Sequence, residues 1–582
     1  MSAWDVIVIG SGAAGLAAAY HAQTQGASVL VLNKSLVGRS GATITSGGGV
    51  SLAGASARAL GLDGDPADTE DVFLRDTLRA GGFLGRQDLV AAMVHGIGPE
   101  IGRLMAAGTK VSVTPRAPGH SSGRGVRIPG PTMQSAMTAA ALRAGVRFRE
   151  DFQSAAPLLR DGAVVGVAGL DRRSGALDAV YDRSVVLASG GCTSNWGLRT
   201  APEELSGDGH LIALEAGAEL IDMEMLQFLP CCLVGPDIWR GLQLPWILGP
   251  QSGIRAWLLN RYGERFMARW DPLNMELATR DVVAAASASE VLEGRGSPNG
   301  GVYLSWAHLP RDIVDHFPSW SKSVDADWRW EGFDMRALVE RIRAGHAIEV
   351  APAAHFSLGG VRIDVHGATG VPGLYACGEV SGGLHGANRL SGNAGAQVLV
   401  QGKAAGLAAA RAAAADGRAA PDRADGLDAL FARLRAPLLH QGADGIASAE
   451  VKRRLTTLAG NALGPVRNGA ALAAAQDELR GIVADALPRL ACRQRDPAWN
   501  RDWSVALECH AGAAVLEAAL LGAQARTQSL GAHRRHDAPS AGQATLQVNA
   551  PAVPLQHGLV AGTPGALRLR TRAVEFTLLA PA

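Results

Sequence analysis

Cysteine is scarce in this sequence of 582 residues, and its few cysteines follow no metal-binding pattern. The six are Cys192, Cys231, Cys232, Cys377, Cys492 and Cys509, with no C-x-x-C pair among them. So few cysteines in so long a chain argue against a disulfide scaffold, a zinc site and an iron–sulfur cluster held by this chain alone. We therefore predict no bound metal and a reducing, cytoplasmic location.

An excess of charge of one sign is also missing. The chain has 55 Lys and Arg against 54 Asp and Glu, a formal net charge of +1. No overall field would attract nucleic acid or an anionic membrane, so no nucleic-acid partner is expected and any acidic ligand must be held by local charges. No apolar run is long and uninterrupted enough to span a bilayer, and no basic leader precedes the first strand, so we expect no direct membrane insertion.

What the sequence does contain begins at its N-terminus. The stretch "DVIVIGSGAAGLAAAYHAQTQGASVLVLNKS" reads as an apolar strand, a Gly-rich turn, an Ala-rich helix and a second apolar strand. Continuous apolar strands on both sides of a helix predict a βαβ unit in a buried parallel sheet. The runs "SVVLASGG" (184–191) and "GLYACGE" (373–379) have the same character, so the sheet is expected to combine segments far apart in sequence.

The turn carries Gly10-x-Gly12-x-x-Gly15 between the strand and the helix. Glycines there let the backbone approach a pyrophosphate at the helix N-terminus, as in dinucleotide-binding folds. The second strand ends at Leu32 and is followed by Asn33, where NAD-binding proteins have an acid for the ribose hydroxyls. An amide can bond hydroxyls too, but the missing carboxylate argues against NAD in particular.

Nine further segments occur in the order found in one enzyme family. Through these segments and their order, the chain resembles the flavoprotein subunits of the succinate dehydrogenase/fumarate reductase family, which includes L-aspartate oxidase. The segments are "RSGATITSGGG" (39–49), "GDG" (207–209), "DMEMLQFLP" (222–230), "NRYGERFM" (260–267), "TRDVV" (279–283), "AHFSLGGVRID" (354–364), "GLYACGE" (373–379), "HGANRLSGN" (385–393) and "GAHRRHD" (531–537). The resemblance covers nearly the whole chain up to about residue 540.

The resemblance implies an α/β fold: a Rossmann-like FAD-binding domain with an inserted α+β capping domain, followed by a C-terminal helical domain. We expect the FAD-binding domain at 1–235 and 350–424, and the capping domain at 236–349, a region rich in Trp and Pro. The helical domain is expected at 425–540, with a small β region or tail at 541–582.

The resemblance also implies bound FAD, with its ring system between the sheet and the capping domain. In covalently flavinylated members a His follows the Arg-Ser pair, and here Gly41 stands in its place, so noncovalent FAD is expected. The predicted cofactor-binding residues are Gly10, Gly12, Ala13, Ala14, Gly15, Asn33, Lys34, Ser40, Gly41, Thr43, Gly47, Gly48, Gly190, Asp208, Glu379, Arg389, Asn393 and Ala394.

Three residues match the family's reaction site. By resemblance, Arg280 exchanges a proton with the substrate carbon next to the one that exchanges hydride with the flavin. An arginine stays protonated in nearly all settings, but its cation can stabilise a developing carbanion and deliver a proton from fixed geometry. His355 and Arg389 match the clamp for one substrate carboxylate, and a forked guanidinium suits such a planar anion.

The clamp for a second carboxylate departs from the family. In the dicarboxylate enzymes a His follows the "QF" pair, and this chain has Leu229 there. The family's Thr-Glu pair and a downstream Arg are also missing, because residues 231–259 contain neither Thr nor Glu. Arg240, Arg255 or Asp237 could substitute.

We therefore predict a pocket lined by Leu229 and Trp246, and a substrate with one carboxylate and a less polar remainder. A hydrogen bond to a charged group is worth roughly 1.5–3 kcal/mol, so losing the His should disfavour fumarate or succinate by about tenfold to several hundredfold. Cys231 and Cys232 are expected as free thiols in the pocket wall rather than a strained disulfide.

Three functions remain open at this stage. The first is an FAD-dependent oxidoreductase for such an acid, acting on a carbon–carbon or a carbon–nitrogen bond. The second is a fumarate reductase or succinate dehydrogenase flavoprotein with a rearranged clamp, and the third is a non-catalytic FAD scaffold or electron-transfer protein. L-aspartate oxidase fits less well, because its "EGGHS" motif is "APGHS" here, with Ala117 in place of the glutamate that binds the substrate ammonium. The expected partners are a small carboxylate substrate and an external electron acceptor, for which one candidate is an iron–sulfur subunit.

Overall fold

The structure is a computed structural model that describes residues 4–114, 116–243, 256–316, 329–330, 333–416, 424–537 and 554–581. Its helices are α1 (Ala13–Thr24), α2 (Gly54–Ala59), α3 (Glu70–Ala80), α4 (Gln87–Ala106), α5 (Gly130–Ala144), α6 (Asp208–Glu215), α7 (Met267–Trp270), α8 (Arg280–Leu292), α9 (Arg311–Asp315), α10 (Arg336–Arg343), α11 (Asn393–Ala415), α12 (Leu427–Leu439), α13 (Ser448–Ala462), α14 (Gly469–Gly481) and α15 (Arg501–Ala525).

The strands are β1 (Trp4–Ile9), β2 (Val29–Leu32), β3 (Gly49–Val50), β4 (Ser112–Val113), β5 (Val126–Arg127), β6 (Arg147–Arg149), β7 (Phe152–Arg160), β8 (Ala163–Asp171), β9 (Ala176–Leu187), β10 (Leu220–Ile221), β11 (Leu226–Leu233), β12 (Trp257–Leu259), β13 (Val302–Ser305), β14 (Arg329–Trp330), β15 (Phe333–Asp334), β16 (Ile348–Ser357), β17 (Gly360–Val361), β18 (Leu374–Ala376), β19 (Ile446–Ala447), β20 (Val466–Arg467), β21 (Leu490–Ala491), β22 (Arg534–Arg535), β23 (Gln556–Ala561) and β24 (Arg568–Ala573).

The predicted parallel core is confirmed. A seven-stranded sheet has the order β6-β2-β1-β9-β8-β7, with β18 paired to β9, and its strands β7, β8 and β9 pair antiparallel. β1 runs parallel to β2 and β9, and β18 runs parallel to β9, so segments from three distant parts of the chain meet side by side. The apolar residues Val6, Ile7 and Val8 of β1 are fully buried, as expected for a strand covered on both faces.

Two helices rich in small residues cover this sheet. Helix α11 packs on α1 so closely that a Cβ at Gly402 would lie 2.5 Å from the carbonyl oxygen of Ala14, and one at Gly406 would lie 2.2 Å from that of Ala18. The abundance of Ala and Gly is therefore structural here, because larger side chains would force the two helices apart.

Four other strands form a second sheet. Its strand order is β11-β16-β13-β12, and helix α8 packs against β11. It shares a hydrophobic core with α8 and α10 that is separate from the main one. The domain boundaries given above remain a prediction.

The region from Leu427 to Ala525 is mainly helical, as expected for the C-terminal helical domain. Helices α13 and α14 pack against α15. Strands β23 and β24 form a hairpin that pairs through β10 with β17, in agreement with the short strands expected after residue 540. One described helix, α15, is long and apolar enough to cross a membrane, but 72% of its apolar window is buried in the fold, which is equally typical of a core helix.

Candidate active site

The Gly-rich turn is shaped by its own backbone. Gly10 has a φ of 106°, and a Cβ at Gly15 would lie 1.9 Å from the carbonyl oxygen of Gly10. Gly12 is the N-cap of α1 and provides no side-chain cap. The helix therefore presents its partially positive end beside a turn of small residues, which suits a pyrophosphate.

Several predicted cofactor residues surround this turn. The Oδ1 of Asn33 accepts a hydrogen bond from the backbone N–H of Ser11 at 3.1 Å, and its amide group donates to the Oγ of Ser40 at 3.1 Å. The Oγ1 of Thr43 accepts from the N–H of Ala13 at 3.0 Å. Asn33 thus fixes the turn to the end of β2.

Other predicted cofactor residues lie where the backbone is closely packed, where φ is positive, or where a helix begins. A Cβ at Gly48 would lie 2.0 Å from the carbonyl oxygen of Ile128, and Gly190 has a φ of 79°. Asn393 and Ala394 begin helix α11, and Ala14 lies in the first turn of α1. Gly41 has a φ of 79°, and no described residue would come within 4 Å of a Cβ at Gly41 or at Gly47.

Unpaired polar atoms indicate that a polar ligand belongs in this region. Among the residues that the structure describes, the Oγ of Ser11, the Oγ of Ser189 and the Oδ1 of Asn393 are buried without a hydrogen-bond partner. Buried polar groups are normally paired, so we expect a ligand or water to form hydrogen bonds with these atoms. The Gly-rich turn and these atoms fit FAD.

Lys34 differs from this pattern because its donors bond to the protein. Its ammonium donates to the Oγ of Ser206 and the Oδ2 of Asp208, both at 2.8 Å, and it pairs with Glu508 at 2.7 Å. Lys34 and Asp208, both predicted to bind the cofactor, are thus joined to each other.

Glu379 is a buried acid next to the reaction-site residues. Its Oε1 accepts a hydrogen bond from the N–H of Ser357 at 3.0 Å. Burial raises the pKa of this carboxyl to about 7, against the opposing influence of that bond and of the Arg389 charge.

Arg280, His355 and Arg389 are brought together from three separate segments. Arg280 is the first residue of α8, His355 lies on β16, and Arg389 lies in the loop before α11. Burial lowers the pKa of His355 most, and the positive charges of Arg280 and Arg389 lower it further. All three groups therefore interact electrostatically.

Each of the three is held by specific contacts. Arg280 donates from Nη1 to the Oε1 of Gln227 at 3.1 Å and from Nη2 to the Oγ of Ser391 at 3.5 Å. The Nδ1 of His355 shares a hydrogen bond with the Oγ1 of Thr200 at 2.8 Å. The guanidinium of Arg389 lies 4.5 Å from the ring centroid of Phe356.

Two buried positive charges make this cluster suited to an anionic ligand. Burial lowers the pKa of Arg389 to about 9 and that of Arg280 to about 10, so both remain charged at neutral pH. His355 has a pKa well below its usual range and is neutral. The Nε of Arg389 is buried with no hydrogen-bond partner in the described part of the chain. A buried cation with a free donor is stabilised by an anionic ligand.

Gln227 also belongs to this site, although its place in the motif "LQFLP" gave no sign of a functional role. Besides accepting from Arg280, Gln227 donates from Nε2 to the carbonyl of Arg389 at 2.8 Å and to the Oδ1 of Asn388 at 3.1 Å. Asn388 in turn donates to the Oδ1 of Asp281 at 2.8 Å. One amide therefore ties the two arginine segments together.

Leu229 lies in an apolar cluster at the edge of this site. It is 6% exposed and packs with Cys232, Ala353 and Leu198. It pairs with Ala353 on β16, two residues before His355, and the neutral thiol of Cys232 lies near Arg280. These four described residues form a wall of uncharged side chains.

Both neighbouring cysteines are free thiols, as expected. Burial raises the pKa of Cys231 to about 12 and that of Cys232 further, so neither forms a thiolate at neutral pH. Of the candidates for a second clamp, Asp237 is exposed and Arg240 is exposed, and Arg240 donates to the carbonyl of Val234 at 3.2 Å. Arg255 and the predicted pocket residue Trp246 lie outside the described residues.

The loop that contains Ala117 also reaches this site. A Cβ at Gly119 would lie 3.2 Å from the Cγ2 of Thr279, the residue before Arg280, and 2.6 Å from the Cδ2 of Leu390. The segment that carries Ala117, two residues before Gly119, therefore lies near the reaction site.

Two family models together match most of the chain. The family model described as FAD binding domain matches residues 5–394, and the one described as fumarate reductase flavoprotein C-term matches residues 452–582.

Curated relatives match over most of the chain. One chain of the fumarate reductase (CoM/CoB) of Methanothermobacter marburgensis is 37% identical over 425 residues, which are 71% of this chain and 74% of that protein. The L-aspartate oxidase of Streptomyces coelicolor is 34% identical over 559 residues, or 92% and 88% of the two chains. The 8-methylmenaquinol:fumarate reductase flavoprotein subunit of Wolinella succinogenes is 31% identical over 561 residues, or 92% and 86%.

Solved structures agree over the entire length. A quinol fumarate reductase of E. coli superimposes with a TM-score of 0.85 at 26% identity, covering 100% of this chain and 98% of that chain. Sdh1 of Mycobacterium smegmatis superimposes with a TM-score of 0.85 at 27% identity, covering 99% and 95%. The predicted fold, an FAD-binding domain with a capping domain and a C-terminal helical domain, is thereby confirmed. This chain is an FAD-dependent oxidoreductase of the succinate dehydrogenase/fumarate reductase flavoprotein family.

Proposed function

We propose that this flavoprotein forms or reduces the carbon–carbon double bond next to the carboxylate of an acid whose remainder is less polar than that of fumarate. The observation that supports this most directly is the wall made by Leu229, Cys232 and Ala353, which puts apolar groups beside a cluster of two buried arginines. Burying a second carboxylate against such a wall would leave its charge unpaired.

One carboxylate is held by Arg389 and His355 in this proposal. Arg389 offers its unpaired Nε, and the neutral imidazole of His355 can donate from Nε2 while Nδ1 accepts from the hydroxyl of Thr200. A buried, charge-assisted contact of this kind fixes the orientation of a planar acid.

Arg280 acts as the proton donor or acceptor at the substrate. FAD, when bound, supplies or accepts the hydride at one substrate carbon, and Arg280 exchanges the proton at the neighbouring carbon. Burial lowers the pKa of this guanidinium to about 10, which makes proton donation less costly than from an exposed arginine. Gln227 and Ser391 hold its two terminal nitrogens in place.

We further propose that FAD is noncovalent, that the protein is cytoplasmic, and that electrons are exchanged with an external acceptor or donor, for which one candidate is an iron–sulfur subunit. Gly41 in the position of the flavin-bearing histidine supports the first point. Acid denaturation should release the yellow colour into the supernatant. Colour retained in the pellet would contradict noncovalent binding.

The second candidate is a fumarate reductase or succinate dehydrogenase flavoprotein with a rearranged second clamp. The names of two relatives, both fumarate reductases, favour it. It requires a cation from the 244–255 segment or from a partner to replace the missing histidine. A carbon–nitrogen oxidation is less favoured, because the Ala117 loop has no carboxylate at that position for an ammonium.

Anaerobic reoxidation of the reduced flavin separates these candidates. The reduced protein would be mixed with fumarate in one experiment and with crotonate, a 2-enoic acid with an apolar tail, in another, while the visible flavin band is followed. Faster reoxidation by crotonate supports the proposal, and faster reoxidation by fumarate supports the second candidate.

The variant Arg280→Gln is the control for catalysis. If the protein is an enzyme, the rate of flavin reoxidation by substrate should fall about a thousandfold or more while the flavin stays bound. The reason is that transition-state stabilisation by a positioned charge is lost. A scaffold or electron-transfer protein would react equally before and after the change.

A further inference from the structure

The ammonium of Lys34 connects two parts of the chain that are far apart in sequence. Lys34 follows Asn33 at the end of β2, and Glu508 lies on α15 in the helical half of the protein. The three N–H groups of Lys34 meet three acceptors, the Oγ of Ser206, the Oδ2 of Asp208 and the Oε1 of Glu508. Because an ammonium has three donors, its capacity is filled and its position is fixed.

These charges are largely shielded from water. The side chains of Lys34, Asp208 and Glu508 are 16%, 15% and 14% exposed. Although burial alone would lower it, the pKa of Lys34 is raised by the charges of Asp208 and Glu508. Removing one partner from a buried ion pair is more costly than removing one at the surface.

A second lysine balances the group. Lys452 of α13 donates to the Oδ1 of Asn195 at 3.3 Å and to the Oγ of Ser194 at 3.4 Å, and its charge interacts with Glu508. Lys34, Lys452, Asp208 and Glu508 thus form a cluster of opposite charges, and the charge of Arg172 also acts on Glu508. Glu508 is the member of this cluster that α15 contributes.

Helix α15 also packs directly on the turn before Asp208. A Cβ at Gly207 would lie 2.7 Å from the Cγ2 of Val515, and one at Gly512 would lie 2.4 Å from the Oδ1 of Asn195. The conformation of the Gly207-Asp208 turn thus depends on how α15 is docked.

A small cleft opens at the same place. It is lined by Asp208 and Leu211 of α6, Gln153 and Ser154 of β7, Arg433 of α12 and His510 of α15. In the ranges that the structure describes, the Oε1 of Gln153 and the Oγ of Ser154 are buried without a hydrogen-bond partner. Unpaired polar atoms next to Asp208 indicate that a polar group of a ligand belongs here.

We infer that Glu508 is part of the FAD-binding machinery, as a positioning residue that fixes Lys34 and, through it, Asp208, so that FAD affinity depends on the docking of helix α15. The cofactor site is then built by two regions of the chain, and FAD and the helical region stabilise each other. This coupling follows from linkage, since a ligand that needs α15 docked must favour the docked state.

The test is the affinity of deflavinated protein for FAD, measured by quenching of FAD fluorescence. Glu508→Gln keeps the shape and an acceptor oxygen but removes the charge, and we expect the Kd to rise about tenfold. Glu517→Gln is the matched control, because Glu517 lies on the same helix but accepts from the N–H groups of Gly565 and Leu567. Its FAD Kd should be unchanged.

A double-mutant cycle with Lys34→Met shows whether Glu508 acts through Lys34. If it does, adding Glu508→Gln to Lys34→Met raises the Kd by less than twofold, because the shared interaction is already lost. Thermal unfolding provides a second readout, in which Glu508→Gln reduces the rise in Tm that FAD produces.

Three results would overturn the inference. One is an FAD affinity in Glu508→Gln that is unchanged or tighter than that of the wild type. The second is an equal loss of Tm with and without FAD, which would make Glu508 merely structural. The third is full additivity in the cycle, which would mean that Glu508 acts independently of Lys34.

Discussion

Gln227 and Arg280 form a hydrogen bond of 3.1 Å in which the guanidinium donates to the amide oxygen. The same amide donates to the carbonyl of Arg389 at 2.8 Å. Gln227 is therefore the direct connection between the proposed proton donor and the proposed carboxylate clamp. Since Gln227 lies two residues before Leu229, β11 contributes both to the catalytic geometry and to the apolar wall.

The first prediction concerns this amide. Gln227→Met keeps the length of the side chain but removes its bonds to Arg280, Asn388 and Arg389. We expect the rate of flavin reoxidation by substrate to fall about 10- to 100-fold, because a misplaced catalytic group loses much of its effect.

The comparison for Gln227 is Ser391→Ala, which removes the longer bond of 3.5 Å to Arg280 and should cost less than fivefold. The flavin absorbance spectrum should be unchanged in both variants. Equal effects of the two substitutions would contradict a special role for Gln227.

The second prediction concerns substrate choice. Leu229→His restores the residue that the dicarboxylate enzymes have after the "QF" pair, and should shift the ratio of kcat/KM toward fumarate over crotonate by about tenfold, the value of one charge-assisted hydrogen bond. Leu229→Ala is the control, because it opens the same space without a donor. If Leu229→Ala produces the same shift, size rather than polarity sets the preference.

The third prediction concerns Gly12, where an added methyl group should weaken FAD binding without disturbing the packing of the apoprotein. Among the described residues, a Cβ at Gly12 would meet only the Oγ1 of Thr43, at 3.3 Å, and Gly12 has an ordinary φ of −69°. Gly12→Ala should therefore leave the Tm of the apoprotein nearly unchanged but weaken FAD binding about tenfold or more, because the new methyl group lies at the turn that the pyrophosphate approaches.

Gly15→Ala should behave differently from Gly12→Ala, since its Cβ would lie 1.9 Å from the carbonyl oxygen of Gly10. We expect it to lower the Tm of the apoprotein as well. Gly98→Ala, in α4, is the neutral control, because in the described part of the chain only the side chain of Ser56 comes within 4 Å. Equal apoprotein stability of Gly12→Ala and Gly15→Ala would contradict this distinction.

The sequence predicted the secondary structure and the motif residues of this site better than the hydrogen bonds between them. The apolar runs and the Gly10, Gly12 and Gly15 spacing were enough for the βαβ unit, because strand and helix formation depend on local patterns. Residue identity in ordered motifs likewise indicated Arg280, His355 and Arg389. The bonds of Gln227, Thr200 and Glu508 join elements that are remote in sequence, and such pairings depend on side-chain positions that no local pattern specifies.

The last prediction concerns the pH dependence of stability. Burial raises the pKa of Glu379 from 4.5 to about 7 in the folded protein. The folded state therefore keeps a proton that the unfolded chain releases above about pH 4.5, so this group's contribution to the free energy of unfolding is present at low pH and is lost as the pH rises to about 7. The loss is on the order of 3 kcal/mol.

Glu379→Gln tests this directly, because the amide oxygen can still accept from the N–H of Ser357 but cannot ionise. Urea unfolding of the apoprotein between pH 5 and pH 8 should show the wild type losing stability relative to Glu379→Gln as the pH rises, with no further change above about pH 8. Taking the difference between the two proteins cancels the titration of other groups, and Glu478→Gln on the exposed face of α14 controls for the loss of one surface charge. A difference that stays constant with pH would mean that Glu379 is ionised throughout, and that Arg389 outweighs burial at this position.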